Sequence, residues 1–407
     1  MTRIGVVAVG FAGDNVSTLL VSEIARAATA DKSMTNVGSV MRTQLPDVEG
    51  RIQLDIAGMR GFDVRDVDMA QAVLQRGIVQ PADAAVEALR NVRPWRGVFR
   101  RMFVAPAIAR QASHVVTGSV ADEVRHIQKR ISDFKAVNHY DHVILLHQGS
   151  VEMDHAGFDS VGKLSAAIAA DDRTISPTMI YAYAAASTGC SLVNGTPQTM
   201  LCPAIRDLLS LHGGLGAGKD LRSGQTWLKS LLAPGVSSTG KPITSIISYN
   251  ALSNNDGLAL SSAQPRQTKL RTKSRLVQGL TSDSYPGVYQ SSEVELDHNV
   301  TIDTVANLGN IKIAYDHYSA TTYMGGKVEF NIVGNYPDSL LACGCLVDLL
   351  VVMAACMTDR ASQKDVERLT RGWLKQPSGH EGWFEFHQDV VSHFSAAALT
   401  PLGAGEK

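Results

Sequence analysis

The chain of 407 residues carries 38 Lys plus Arg against 39 Asp plus Glu, a formal net charge of −1. That balance, with a sequence pI of about 6.9, argues against a dedicated nucleic-acid or anionic-membrane binder, and 44% hydrophobic residues argue against wholesale disorder. At roughly 150 residues per domain the length predicts two or three domains. Five cysteines form no C-x-x-C pair and are expected as reduced thiols in the cytoplasm. The short apolar run after Arg3 is not a secretory signal.

Residues 4–9 form a continuous apolar run of the kind a parallel strand buried on both faces requires. The run enters Gly10-Phe11-Ala12-Gly13-Asp14-Asn15, and a helical pattern follows over 16–30. Strand, glycine turn and helix open a dinucleotide-binding unit, with the helix N-terminus facing a pyrophosphate. The fingerprint is incomplete, because Ala8 stands at its first glycine, and on this signal alone a plain strand–turn–helix is the better reading. Residues 31–60 read as a surface insertion, and Gly61-Phe62-Asp63-Val64 as a strand end carrying an acid. Helical patterns follow over 67–76, 83–91 and 121–138, then a strand over 142–147, a helix over 176–188 and a strand over 190–193. Alternating helices and buried strands predict an α/β fold with a parallel sheet. Beyond residue 240, β-branched runs over 244–249, 293–295, 299–305, 310–315 and 327–333 predict a mostly antiparallel sheet. The apolar stretch 340–357 carries Asp348 in its middle, which fits a buried helix better than a membrane span.

Three polar clusters stand out. Ser248-Tyr249-Asn250-Ala251-Leu252-Ser253-Asn254-Asn255-Asp256-Gly257 concentrates amides and a carboxylate after a strand, as a ligand cradle or an ordinary turn would. Lys269 and Lys273 are four apart, so on a helix their ammoniums share a face; mutual repulsion would lower one pKa and suit proton transfer or a phosphate clamp, unless the face is merely solvated. Asp220-Leu221-Arg222-Ser223-Gly224-Gln225-Thr226 precedes an amphipathic helix. Twelve histidines show no H-x-x-x-H or Cys/His spacing, so no local metal motif is expected.

These strings resemble a known family. SYNALSNNDG is similar to the SYNHLGNNDG signature of the myo-inositol-1-phosphate (inositol-3-phosphate) synthases. NGTPQTMLCPA, KDLRSGQTWLKS and NYPDSLLACGCLVDLL resemble that family's NGSPQNTFVPG, GDDLKSGQTKLKS and CEDSLLA…DLL blocks in the same order, and GFAGDN stands where it has GWGGNN. The resemblance implies a Rossmann-like NAD-binding domain from residues 1–230 plus 340–407. It implies a sheet-rich α+β catalytic and tetramerisation domain over 231–339. It also implies a cytoplasmic homotetramer with NAD as cofactor and a sugar phosphate as substrate. The family's reaction is a redox-neutral intramolecular aldol cyclisation of a hexose 6-phosphate.

By position, the resemblance assigns Gly10, Phe11, Ala12, Gly13, Asp14, Asn15, Asp63, Ser150, Asn194, Gly195, Thr196 and Asp338 to the cofactor. It assigns Ser223, Gln225, Asn250, Leu252, Asn254 and Asp256 to the substrate, and Lys269, Lys273, Lys312, Asp220 and Asp338 to catalysis. Departures fall at the family's W-T-A-N-T-E-R run, here His147-Gln148-Gly149-Ser150-Val151-Glu152-Met153, and at Asp303 and Asn310, where the family has lysine and aspartate. The family's near-terminal K-Q-R segment also has no counterpart, since no lysine lies between Lys375 and Lys407. These changes suggest retained chemistry on a changed substrate. Fructose 6-phosphate closing to a five-membered carbocycle, as in carbocyclic nucleoside biosynthesis, is the expected reaction. The alternatives are inositol phosphate from glucose 6-phosphate and a non-catalytic NAD-binding homologue.

Overall fold

A computed structural model describes residues 2–30, 32, 36–77, 83–282, 297–375 and 383–398. Six parallel strands form one sheet: β1 (Arg3–Val9), β2 (Gln53–Asp63), β3 (Trp95–Arg96), β4 (His142–His147), β5 (Ser191–Asn194) and β6 (Gly216–Gly218). Their order, β3-β2-β1-β4-β5-β6, is that of a dinucleotide-binding sheet. In β1, Ile4, Val6 and Ala8 join one core cluster and Val7 and Val9 the other. This period-2 division shows why the run is apolar throughout: both faces are covered.

Helix α1 (Asp14–Ala28) covers one face together with α8 (Asp338–Thr358). The opposite face is covered by α2 (Val120–Val137), α3 (Pro177–Ala186) and α4 (Pro203–His212). By length and composition α8 could cross a membrane, yet it is mostly buried in the fold. Its Asp348 is buried and accepts hydrogen bonds from Ser39 Oγ (2.5 Å), Val40 N (3.0 Å) and Met41 N (3.0 Å), so the carboxylate anchors the start of a short helix.

The residues predicted as a surface insertion instead contain most of β2, which pairs with β1 from Arg3↔Gln53 to Val9↔Phe62. The second sheet, in the order β10-β9-β7-β8, comprises β7 (Ile243–Leu252), β8 (Asp297–Thr304), β9 (Ile311–Thr321) and β10 (Lys327–Pro337). As expected it is mostly antiparallel, with β10–β9 and β9–β7 antiparallel, while β8 runs parallel to β7 and is reached by a helical crossover. The crossover contains α6 (Asn254–Ala259) and α7 (Ala263–Ser282), and α5 (Gln225–Ser237) packs on α7. The strand expected over 293–295 lies outside the described residues.

Gly10 ends β1 with φ +77°, and a Cβ there would lie 2.5 Å from the Gln148 carbonyl oxygen. Gly10→Ala should therefore cost about 1–3 kcal/mol of stability and impair dinucleotide binding. Thermal unfolding with and without NAD checks this; an unchanged melting temperature and affinity would contradict it.

Candidate active site

The β1–α1 turn builds the first half of the site. Gly10 N and Phe11 N donate to Phe62 O at 2.9 and 3.0 Å, and Gly13 N donates to Gly10 O at 2.8 Å. No side chain caps the N-terminus of α1 at Gly13, which leaves a helix end suited to a pyrophosphate. Asp63 ends β2, where its Oδ2 accepts from Ala12 N (2.9 Å) and its Oδ1 from Arg65 N and Nε (both 3.0 Å). A cleft runs from Phe62, Asp63 and Val98 past Gly10, Gly13, Asp14 and Asn15 to Ser150 and Asp338. Phe11 and Ala12 do not line it. Both side chains are core residues, so any contact they make there is through the backbone.

A second cleft continues from the first and shares Asn15, Gln148, Gly149 and Asp338 with it. Its walls include Gly195, Thr196, Asp220, Ser223, Lys269, Lys312 and Lys375. Asp220, fully buried, stands at the centre. Its Oδ1 accepts from Lys269 Nζ (2.7 Å), and its Oδ2 accepts from Thr272 Oγ1 (2.6 Å) and Lys375 Nζ (3.0 Å). The adjacent ammoniums hold its carboxyl well below the usual range despite burial. Burial, against the pull of Asp220, brings Lys375 down to about 7.

Lys273 is one helical turn from Lys269 on α7 and points deeper, donating to Gln225 Oε1 (3.4 Å) and Asn250 Oδ1 (3.3 Å). Burial and the charges of Lys312, Lys375, Lys229 and Lys269 push it well below the ordinary lysine range. Behind it, Asp316 Oδ1 accepts from Gln225 Nε2 (2.8 Å) and Ser248 Oγ (2.5 Å). That contact fixes the Gln225 amide with its oxygen toward Lys273. Lys229 donates to Ser248 Oγ at 2.5 Å and lies 3.5 Å from Asp316. Lys312 lies 3.8 Å from Asp338.

The cluster thus gathers Lys269, Lys273, Lys312, Asp220, Asp338, Ser223, Gln225 and Asn250. Asn194 lies just beneath, binding Thr196. Gly195 lets Gln148 close over it, since a Cβ there would meet Gln148 Nε2 at 1.7 Å. Leu252 lines neither cleft itself; it packs in an apolar cluster behind Ile108 and Val151, which do. The side chains of Asn254 and Asp256 lie outside the described residues. Lys375, the last lysine before the lysine-free stretch, itself reaches the centre of the site. Asp303 is exposed on β8 and lines neither cleft, whereas Asn310 accepts from Ser339 Oγ (3.2 Å) beside Asp338. Among the described residues no group of three or more His, Cys, Asp or Glu is placed to hold a metal.

A family model described as myo-inositol-1-phosphate synthase matches residues 4–404. The chain belongs to the myo-inositol-1-phosphate synthase family. Its relatives include inositol-3-phosphate synthase isozyme 1 of Arabidopsis thaliana, 30% identical over 98% of this chain and 81% of that protein. Inositol-3-phosphate synthase 1 of Populus euphratica is 31% identical over the same shares of each chain. The fold is shared with the inositol-3-phosphate synthase of Caenorhabditis elegans, at a TM-score of 0.86 and 23% identity over 100% of this chain and 90% of that one. It is also shared with Ari2, at a TM-score of 0.58 and 17% identity over 98% and 100% of the two chains. As a member of the family the chain is an NAD-dependent cyclase, an isomerase of the intramolecular-lyase class.

Asp220→Asn should cost about 3–5 kcal/mol, because Lys269 and Lys375 would lose their buried counter-charge. Adding Lys375→Met should restore part of that loss. Denaturant unfolding of the single and double variants measures the coupling, and strictly additive effects would contradict the shared-carboxylate arrangement.

Proposed function

We propose that the chain converts a hexose 6-phosphate to a six-membered cyclitol phosphate, with glucose 6-phosphate as substrate. The observation carrying this reading is the complete lysine cluster around Asp220, Lys375 included, at the junction of the two clefts. The residues fit NAD: an uncapped α1 N-terminus for the pyrophosphate, Asp63 at the end of β2 for the adenosine ribose, and Thr196 on the nicotinamide side. When bound there, NAD would supply the hydride acceptance at carbon 5 of the sugar and the return of that hydride which keep the reaction redox-neutral.

The chain's own residues manage protons and charge. Lys269, oriented by Asp220, assists proton transfer at the carbon 5 oxygen. With carbon 5 a ketone, carbon 6 becomes acidic, and a lysine held neutral by its cationic neighbours can take that proton. Lys312, and Lys273 whenever it carries a proton, then stabilise the enolate oxygen as carbon 6 attacks the sugar's carbonyl carbon. Ser223 and the start of α5 face the phosphate. The catalytic and assembly unit is residues 231–339, and the NAD-binding unit is 1–230 with 340–407. All five cysteines are thiols, which supports a cytoplasmic setting.

A second reading, fructose 6-phosphate closing to a five-membered ring by attack on carbon 2, is favoured by Asn310 beside Asp338 and by the His147–Met153 run. Supplying each sugar phosphate separately with NAD decides between them. Inositol phosphate from glucose 6-phosphate alone is expected, and a branched five-membered product from the ketose would reverse the assignment. Neither turnover should leave reduced cofactor behind, and Lys269→Ala should abolish product while retaining NAD binding. Steady accumulation of reduced cofactor would instead mark a simple dehydrogenase.

The outer face of the second sheet carries Ile247, Tyr249, Tyr315 and Val333 in neighbouring register, with Val333 70% exposed. Such a patch supports assembly as a homotetramer through this sheet. Sedimentation should give an oligomer at micromolar concentration that the pair Tyr315→Glu and Val333→Glu dissociates. A monomeric parent chain would contradict this.

A further inference from the structure

A one-way chain of buried hydrogen bonds runs beneath the dinucleotide cleft. Asn194 Nδ2 donates to Gln198 O (2.9 Å), which orients the amide so that its Oδ1 accepts from Thr196 N (3.0 Å) and Thr196 Oγ1 (2.6 Å). The Thr196 hydroxyl proton is thereby committed. His147 Nδ1 lies 3.2 Å from that oxygen, so the ring must carry its hydrogen on Nδ1. The ring is fully buried and stays neutral, its pKa depressed by burial to about 3, so Nε2 presents a lone pair. Thr178 Oγ1, 3.3 Å away, satisfies that lone pair only by donating to it. Thr178 Oγ1 is also 2.9 Å from Glu152 Oε2. With the threonine proton already spent, this last contact is a hydrogen bond only when Glu152 carries a proton. An ionised Glu152 would capture the threonine proton and leave a buried ring nitrogen without a donor, which costs free energy in a low-dielectric interior.

The surroundings of Glu152 point the same way. The side chain is 6% exposed. The nearby Arg100 is engaged by both oxygens of Glu123, at 2.7 and 2.5 Å. Asp63 is paired with Arg65, the Tyr181 hydroxyl accepts from Val98 N, and His147 is neutral. No cation therefore pairs with Glu152 among the described residues, and burial lifts its carboxyl to about 7. Glu152 lines the same cleft as Phe62, Asp63, Val98 and Tyr181, the half that ends at β2. Only its Oε2 is hydrogen-bonded among the described residues.

We propose that Glu152 is an adenine-binding residue held as a neutral carboxylic acid, its free Oε1 accepting a hydrogen bond from the exocyclic amino group of the base of NAD. This rests on the assignment of NAD to the cleft. A dinucleotide laid over the carboxyl removes its remaining solvent and brings two phosphates close, and both effects disfavour the ionised form. Binding is then linked to proton uptake above the pKa of the free group, and the sign follows: affinity is full at low pH and falls as pH rises. A hypoxanthine base presents a carbonyl where adenine has its amino group, which would set two acceptors against each other.

Calorimetric titration of the full chain tests this with NAD and with nicotinamide hypoxanthine dinucleotide, in buffers of different ionisation enthalpy. From about pH 6 to about pH 9 the dissociation constant for NAD should rise at least about tenfold, with proton uptake on binding. The hypoxanthine dinucleotide should bind about tenfold more weakly at about pH 6, the effect of one unpaired hydrogen-bonding group. Glu152→Gln, a neutral isostere, should bind NAD with a constant independent of pH, and Glu152→Ala should lose the preference between the two bases. A parent chain that binds NAD equally well across this range, or binds both dinucleotides alike, overturns the proposal without any variant. Parallel pH dependence in the parent and Glu152→Gln also overturns it. Failure to bind either dinucleotide at any pH would overturn the NAD assignment itself.

Discussion

One buried carboxylate organises the site. Asp220 holds Lys269 and Thr272 of α7 and Lys375 of the segment that precedes the last helix, and all of these groups are largely removed from water. Desolvating several ammoniums together is expensive, and the three carboxylates of Asp220, Asp316 and Asp338 are fewer than the five ammoniums of Lys269, Lys273, Lys312, Lys375 and Lys229. The system relieves the surplus by weakening the hold of Lys273 and Lys375 on their protons. A site that keeps some lysines charged and others readily neutral can stabilise an enolate and also accept a proton.

That electrostatic arrangement explains why the architecture needs two sheets. The parallel sheet presents its strand ends to a dinucleotide, and the second sheet presents an inward polar face of Ser248, Asn250 and Asp316. Asp316 fixes Gln225 and pairs with Lys229, so the polar interior of the second sheet sets the orientation of the groups around Lys273. Helix α8 joins the two sheets: it begins at Asp338, where the clefts meet, and its stretch from Leu346 to Cys356 is buried against the first sheet.

Much of this was legible in the sequence where side-chain pattern and structure coincide. The run 142–147 is β4 residue for residue, and the β1–Gly10–α1 unit lies where the apolar run and glycines indicate. β6 is Gly-Ala-Gly and β3 only two residues, so neither has a pattern to read. β2 was hidden because Gly58 and Gly61 interrupt it; Gly61 has no room for a Cβ against the backbone of Ala8. In β9 the alternation misleads, since Asp316 faces inward with Ala314, Tyr318 and Ala320 while Tyr315 faces out. The motif resemblance located Asp220 and the α7 lysines. It did not locate Lys375, an isolated residue brought to Asp220 only by tertiary folding, or Glu152, whose role depends on a proton inventory across four chain segments.

The claim on which the rest depends is that shared burial around Asp220 separates these lysines into charged and readily neutral groups. Lysine side-chain NMR of protein labelled at Cε and Nζ, titrated with pH and assigned by single lysine substitutions, measures this directly. Lys375 should lose its proton near 7 and Lys273 well below the ordinary range. If every lysine of the cluster titrated together near the ordinary value of about 10.4, the account of the site would be wrong.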